Sequence, residues 1–246
     1  AIGPSRSESG NAMLIANPHL PWFDMFTWFE AHTISHDLNA YGAGLVGMPF
    51  LGIAFNDFMG WSHTNNVHDG QDLYELTLID DGYQWGDGIQ RFKERTVEIK
   101  VRDDEGNMTV SDFFIRESVH GPVVSEKDGK AYALRVVGLD QPHVFRQYFE
   151  MARAKTLKSF QDAIRPLQNP FFTIMYADKD GHIMHVFGGR TPIRPSGDWN
   201  WLGVVPGNSP ETIWNETHSY DELPKSIDPK SGWLQNANDP PWTTTF

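Results

Sequence analysis

Alternating apolar and charged residues give the clearest structural signal in the middle of the chain. Val97, Ile99 and Val101 are separated by charged residues in the segment Thr96–Arg102. The polar stretch 103–107 contains a glycine, and the chain then returns over 108–115. A period of two places alternate side chains on opposite faces of a strand. The segment therefore predicts a β-hairpin with one solvated face.

Other apolar segments are short and bounded by turn residues, which is typical of strands. The predicted strands are 50–55, which is continuously apolar, 72–79, 132–137, and the two arms of a second hairpin, 171–177 and 183–187. The residues between these last two arms, 178–182, include Asp, Lys and Gly and predict the turn of that hairpin.

Two helices fit between the strands. The first is predicted over 144–154. Thr156 is placed to cap the second, because apolar residues after it recur on one helical face and prolines at 166 and 170 end the pattern. Residues 192–241 are rich in Pro, Gly, Ser, Asp and Trp and predict long ordered loops. The sequence as a whole predicts a strand-dominated α+β fold.

Composition narrows the possible partners. The chain has 246 residues, a formal net charge of −12 and no basic cluster, which argues against binding nucleic acid or an anionic membrane surface. It contains no cysteine, so thiol nucleophiles, disulfides and cysteine metal sites are excluded. No apolar run approaches the roughly 20 residues that cross a bilayer.

Three short motifs carry candidate chemistry. The first lies near the start, where Ala1-Ile2-Gly3 is followed by a polar turn, a second apolar segment predicted as a strand, and the corner Asn17-Pro18-His19-Leu20-Pro21-Trp22. Two prolines fix the bend that holds His19. From residue type alone, His19 is most simply a structural histidine bonded to a carbonyl.

The other two motifs are Gly60-Trp61-Ser62-His63-Thr64-Asn65 and Gln235-Asn236-Ala237-Asn238-Asp239. In plain structural terms they are a strand end and an Asn-rich turn. Chemically, a strand end presents backbone N–H groups and an asparagine presents an amide. Such donors stabilise the oxyanion that forms during amide hydrolysis.

Taken together, in this order and at this spacing, the three motifs resemble the penicillin acylase family of N-terminal-nucleophile hydrolases. The resemblance implies a four-layer αββα sandwich, with residues 1–246 forming the N-terminal portion of the catalytic β-subunit. It also implies catalytic roles for His19, which orients the nucleophile, and for the two oxyanion donors, the backbone N–H of Asn65 and the side chain of Asn238. The substrate would be a small acyl amide, such as a penicillin or an acyl-homoserine lactone.

In that family the nucleophile is a serine that opens the chain in a pattern like Ser-Asn-x-Trp-Ala-Ile-Gly. The present sequence begins at the alanine of that pattern, so we expect the chain as printed to be inactive. Ser5 and Ser7 do not substitute, because neither carries a free α-amino group. The resemblance also implies an α-subunit and a remainder of the β-subunit as partners, and a periplasmic or secreted location.

An acidic segment suggests a structural calcium ion. Some penicillin acylases bind calcium at positions that match Asp69, Gln71, Asp72 and Pro206. Two carboxylates with nearby carbonyl groups suit a hard cation. A solvated acidic turn is the equally simple alternative, and no cofactor is required for the expected chemistry.

Two other classes of function remain open. His63, His68 and Asp69 could bind zinc in a metal-dependent hydrolase. His32 and His36 have helical metal-pair spacing but lie in a segment predicted to be extended. A ligand-binding homologue without a nucleophile is the second class. Several aromatic residues could line an acyl pocket or simply belong to the core, namely Trp22, Phe23, Phe26, Trp28, Phe50, Phe55 and Phe58.

Overall fold

A computed structural model describes residues 1–18, 20–141 and 143–244. The chain forms two compact units. The first contains Ala1–Asp69, Gly138–Thr191 and Thr217–Phe246, and the second contains Gly70–Val137 and Pro192–Glu216. Within the described ranges there are fifteen strands and two α-helices, which confirms a strand-dominated α+β fold.

The helices are α1 (Val144–Arg153) and α2 (Leu157–Ile164). The strands, in chain order, are β1 (Trp28–Ile34), β2 (Asn39–Leu45), β3 (Ile53–Asn56), β4 (Met59–Asn65), β5 (Gln71–Ile79), β6 (Gly82–Trp85), β7 (Gly88–Arg91), β8 (Lys93–Arg102), β9 (Met108–Ser118), β10 (Gly121–Lys127), β11 (Lys130–Val136), β12 (Phe172–Asp178), β13 (Ile183–Val186), β14 (Val204–Pro206) and β15 (Lys225–Ile227).

The first unit is built on an antiparallel sheet in the order β1-β2-β3-β4-β12-β13-β15. Both helices contribute to the core on one face of this sheet. Phe160 of α2 lies between Trp61 and Tyr176, with ring centroids 6.0 and 4.8 Å away. Thr156 caps α2 as predicted, because its hydroxyl oxygen accepts the N–H of Ser159 at 3.1 Å.

The start of the chain is less regular than the predicted pair of strands. Ile2 forms isolated bridges with Met13 and Trp233, and Pro4–Arg6 is a short 3₁₀ turn. Proline has no N–H to donate to a ladder, so Pro4 cannot extend the pairing beyond these bridges. The strand predicted at 50–55 is also shorter, since regular pairing begins only at Ile53.

The second unit contains a sheet in the order β7-β6-β5-β11-β10-β9-β8, with β14 paired in parallel to β5. Strands β8 and β9 form the predicted hairpin, with Arg102 opposite Met108. The Asp103 carboxylate accepts the N–H groups of Glu105 and Asn107 and so fixes the turn. No α-helix in the described residues is both long and apolar enough to cross a membrane.

Candidate active site

Strand β4 presents the backbone of the second motif at its end. Asn65 is the last residue of β4 and lies opposite Phe172 of β12. The N–H of the next residue, Asn66, donates to the carbonyl of Phe171 at 3.4 Å. Successive N–H groups of an extended chain point in opposite directions. The Asn65 N–H is therefore directed away from β12.

The loop that carries the third motif is held by its own side chains. The amide oxygen of Asn236 accepts the hydroxyl of Thr64 and the N–H of Asn238, the latter at 3.1 Å. The amide nitrogen of Asn236 donates to the carbonyl of Asp239 at 3.1 Å. Gln235 donates to the carbonyl of Thr243 at 2.8 Å. Asn236 thus fastens the loop to β4.

Asn238 completes the approach of the two motifs. Its backbone is left-handed, with φ 71°, a conformation that asparagine adopts more readily than most residues. Its side-chain nitrogen donates to the carbonyl oxygen of Asn65 at 2.8 Å. The two residues predicted as oxyanion donors are 173 positions apart in sequence and are in direct contact in the fold.

The first residue of the chain lies beside this loop. The backbone nitrogen of Ala1 donates to the carbonyl of Leu234 at 2.8 Å, and the N–H of Leu234 donates to the Ala1 carbonyl at 2.9 Å. A cavity of about 210 Å³, lined by Ala1, Thr64 and Asn236 among others, adjoins it. The chain start and both donor motifs therefore meet in one place.

His19, the third predicted catalytic residue, lies outside the described residues. Its neighbours Pro18 and Leu20 line a larger cavity, described next. The role of His19 stays a prediction.

An apolar cavity of about 360 Å³ opens beside Asn65 and Asn238. Eleven of its eighteen lining residues are apolar, and seven carry a polar side chain. The lining consists of Asn17, Pro18, Leu20, Phe26, Trp28, Leu45, Met48, Phe50, Gly52, Ile53, His63, Thr64, Asn65, Val144, Tyr148, Asn169, Phe172 and Asn238. Its size falls in the range of small-molecule sites.

Only part of the predicted aromatic lining belongs to this cavity. Phe26, Trp28 and Phe50 do line it. Phe55 and Phe58 instead line a separate cavity on the first unit, and Trp22 and Phe23 are exposed. Tyr148 and Phe172 were not predicted, because α1 and β12 lie far along the chain from β4 and only the fold brings them together. The helix predicted over 144–154 was the one sequence signal near Tyr148.

His63 is a lining residue with an unusual environment. Its Nδ1 lies 3.3 Å from the carbonyl of Thr173, and its buried Nε2 has no hydrogen-bond partner in the described part of the chain. The rings of Tyr148 and Phe172 pack around it, with centroids 5.4 and 5.8 Å away. Burial lowers the pKa of His63 to about 4, so the ring is neutral at pH 7.

The residues predicted to bind zinc do not form a metal site in the described parts of the chain. Across residues 1–18, 20–141 and 143–244, no three His, Cys, Asp or Glu side chains form a group that could hold a metal ion. His63 faces Thr173, and His68 bonds the side chain of Asn66. His32 lies within β1 and bonds Asn39 at 2.7 Å, whereas His36 lies beyond the end of that strand. The extended backbone removes the helical spacing.

The residues predicted to bind calcium are divided between the two units. Asp69 belongs to the first unit, and the others belong to the second. The buried carboxylate of Asp72 accepts bonds from Arg194 at 3.0 Å and from the indole of Trp214 at 2.6 Å. Gln71 begins β5, and the carbonyl of Pro206 accepts the hydroxyl of Thr212 at 2.7 Å. The Asp72 carboxylate is thus paired with the Arg194 charge, and calcium binding at these residues stays a prediction.

Comparison with known proteins first defines the fold. The chain superposes on a thermostable penicillin G acylase from Alcaligenes faecalis with a TM-score of 0.86, over 98% of this chain and 43% of that one. Sequence identity is 23%, so this likeness concerns the fold. The chain therefore has the fold of a penicillin acylase.

The sequence assigns the family. The penicillin amidase family model matches residues 1–246, and the chain belongs to this family. It is 29% identical to the acyl-homoserine lactone acylase PvdQ of Pseudomonas syringae pv. syringae B728a, over 98% of this chain and 34% of that protein. It is 30% identical to PvdQ of Pseudomonas fluorescens Pf0-1, over 94% of this chain and 28% of that protein. The chain thus spans about a third of the length of these relatives.

Proposed function

We propose that these residues form the oxyanion side of the active site in an amide hydrolase that removes the acyl group from an N-acyl substrate. The contact between Asn65 and Asn238, at an apolar cavity in a penicillin amidase family chain, carries this proposal. An amide hydrolase needs hydrogen-bond donors where negative charge develops and an apolar site for the acyl group. The contact between Asn65 and Asn238 and the adjoining cavity, both within the first unit, support the proposal on these two points.

The proposed mechanism uses the N-terminal serine that the family resemblance implies. Its own α-amino group takes the hydroxyl proton, directly or through water, and its oxygen attacks the amide carbonyl. The Asn65 N–H and the Asn238 amide hold the resulting oxyanion, while His19 orients the serine. The protonated amine leaves, and water then hydrolyses the acyl-serine ester.

The acyl group is the better defined half of the proposed substrate. The cavity beside the two asparagines has a volume of about 360 Å³ and a mostly apolar lining, which suits an alkyl chain. The Asn17-Pro18-His19 motif favours long-chain acyl amides, and the matched relatives are named as acyl-homoserine lactone acylases. We therefore propose fatty-acyl amides, including acyl-homoserine lactones, ahead of the phenylacetyl amide of penicillin G.

The wider context follows from the same family argument. We propose that the chain contributes to a four-layer αββα sandwich, completed by an α-subunit and further β-subunit residues. We also propose a periplasmic or secreted location. A polypeptide that begins at Ala1 carries no terminal serine, and we propose that it is inactive by itself. Calcium at Asp69, Gln71, Asp72 and Pro206 stays a prediction, and no step above uses it.

The test is to incubate the full product of the gene with N-decanoyl-homoserine lactone and with penicillin G, and to follow amine release together with the mass of any acylated peptide. We expect amine release and a transient acyl group on a serine four residues before Ala1. A polypeptide of residues 1–246 is the matched control and should release no amine. Amine release without an acyl-enzyme, abolished by a chelator, would instead establish a metal-dependent hydrolase. Binding without turnover would establish a ligand-binding homologue.

A further inference from the structure

The apolar cavity contains one donor hydrogen and one acceptor atom that have no partner among residues 1–18, 20–141 and 143–244. They belong to His63 on β4 and Tyr148 on α1, whose rings meet edge to face at 5.4 Å. Both side chains line the cavity. Leaving such groups buried and unpaired costs free energy, so their presence in an apolar site calls for a ligand that pairs with them.

His63 supplies the acceptor. A carbonyl oxygen only accepts hydrogen bonds, so the contact with Thr173 requires the proton to be on Nδ1. The neutral ring then leaves Nε2 as a lone-pair acceptor. Because Nδ1 faces the backbone of β12, Nε2 is directed away from that strand. It is buried and has no partner in the described ranges of the chain.

Tyr148 supplies the donor. Its phenol oxygen accepts the side-chain N–H of Asn169 at 2.7 Å, and none of the described residues accepts the phenol hydrogen. Burial raises the pKa of Tyr148, so the hydrogen stays on the oxygen. The ring is held flat against Phe50, at a centroid distance of 4.0 Å and an interplanar angle of 11°. The donor is therefore fixed in place.

We propose that this cavity selects acyl chains that carry a hydroxyl group, with His63 and Tyr148 as the specificity-determining residues. This inference rests on the proposed deacylase function. A hydroxyl group donates one hydrogen bond and accepts others, so it satisfies Nε2 of His63 and the phenol hydrogen of Tyr148 together. A ketone accepts only, so it leaves Nε2 unpaired. A plain alkyl chain leaves both groups unpaired.

The position of the hydroxyl follows from the strand. His63 and Asn65 lie two residues apart on the same face of β4, which is about 7 Å. The scissile carbonyl is placed at the Asn65 N–H, so the hydroxyl belongs within the first few carbons from that carbonyl. The third carbon of the acyl chain is the natural position to test.

The experiment compares kcat/KM of the full gene product for the homoserine lactone amides of 3-hydroxydecanoic, 3-oxodecanoic and decanoic acids. Each recovered hydrogen bond corresponds to a factor of about tenfold, so we expect the hydroxy substrate to exceed the oxo substrate, and the oxo substrate to exceed the plain one. His63→Phe keeps a ring of similar shape without the acceptor. It should reduce the hydroxy-to-oxo ratio to about one and lower the hydroxy-to-plain ratio by about tenfold. Phe26→Leu lines the same cavity without a polar group and should leave both ratios unchanged, whatever it does to absolute rates.

A second variant and a binding measurement test the inference independently of His63→Phe and of catalysis. Tyr148→Phe removes only the phenolic hydroxyl group. It should lower kcat/KM for the hydroxy and oxo substrates relative to kcat/KM for the plain one. Calorimetric binding of free 3-hydroxydecanoate and decanoate to the same variants needs no catalysis. A hydroxy-to-plain ratio that is one in the unmodified protein, or that does not fall after His63→Phe in both assays, overturns the inference. Failure to hydrolyse any of the three amides refutes the proposed function instead, and the binding ratios still decide the inference.

Discussion

The two halves of the candidate site are built in different ways. On one side, β4 is held by ladder bonds to β12, and its contribution to the site is the backbone of Asn65. On the other side, the loop from Leu234 to Asp239 has no regular pairing beyond its first residues and is held by side-chain bonds of Gln235 and Asn236. Its contribution to the site is the side chain of Asn238.

Because of this difference, the two halves depend on the identities of their side chains to different degrees. A backbone donor survives a change of its own side chain, because the ladder sets its direction. A side-chain donor in a loop depends both on its own identity and on the residues that hold the loop. We therefore expect substitutions in the loop to cost much more than substitutions at Asn65.

The largest effect is expected for Asn238→Ala. Loss of one oxyanion donor lowers kcat by about 10²–10³-fold. The measurement is kcat of the full gene product with decanoyl-homoserine lactone. Asn11→Ala, an exposed asparagine outside the site, is the matched control and should keep kcat. Equal activity of the two variants would remove Asn238 from the site.

The second largest expected effect is a loss of stability at acidic pH, in the loop that carries Asn238. His185 is buried beside the hydroxyl of Thr244, at 3.3 Å, and Thr244 also accepts the N–H of Gln235 at 3.0 Å. Burial lowers the pKa of His185 to about 4. The unfolded protein therefore binds this proton first, and stability that is complete above pH 6.5 falls as the pH approaches 4. The full loss is about 3 kcal/mol for this histidine.

Hydrogen exchange at pH 7 and 4.5 measures this loss in peptides from the loop, 234–244, and from β4, 59–65. We expect the protection factors of the loop, which correct for the pH dependence of intrinsic exchange, to be lower at pH 4.5, and we expect a smaller change after His185→Gln. The pKa of His63 in β4 is lowered in the same way, so we expect protection of β4 to fall at pH 4.5 as well. The His185→Gln substitution should not change this response of β4. An unchanged pH response in the variant would contradict the assignment to His185.

A smaller effect is expected for Asn236→Ala, which removes the bonds to Thr64, Asn238 and Asp239. The free energy of unfolding should fall by about 1–3 kcal/mol, measured by chemical denaturation. We also expect kcat to fall by about tenfold, because Asn238 loses its anchor. Thr64→Val breaks only the link to β4 and should produce a fraction of both effects. A normal kcat for Asn236→Ala would show that the loop is held by other contacts.

The smallest effect is expected for Asn65→Ala. Since the donor is the backbone N–H, kcat should stay within about twofold of the unmodified enzyme. A loss above tenfold would mean that the side chain acts, and the comparison between the two halves would fail.

Local rules predicted the elements well where one physical signal dominated. The alternation of 96–102 and the capping position of Thr156 both led to the observed hairpin and helix. The start of the chain was harder, because Pro4 interrupts a segment that is otherwise strand-like.

Only part of the site was predicted, and that part came from family motifs and not from local sequence patterns. Asn65 and Asn238 were found because family motifs mark them, although no local pattern shows that they meet. The polar pair of His63 and Tyr148 was not found, since it forms only when α1 packs on the sheet. Likewise, nothing near Asp72 indicates that Arg194 and Trp214 occupy its carboxylate.

The central claim is that Asn65 and Asn238 hold the oxyanion together. A crystal structure of the full gene product with an alkyl boronic acid, which forms a tetrahedral adduct on a nucleophilic serine, tests it most directly. We expect one boronate oxygen within about 2.7–3.1 Å of both the Asn65 nitrogen and the Asn238 side-chain nitrogen. A boronate oxygen bound elsewhere, with Asn238 still bonded only within the protein, would contradict the account.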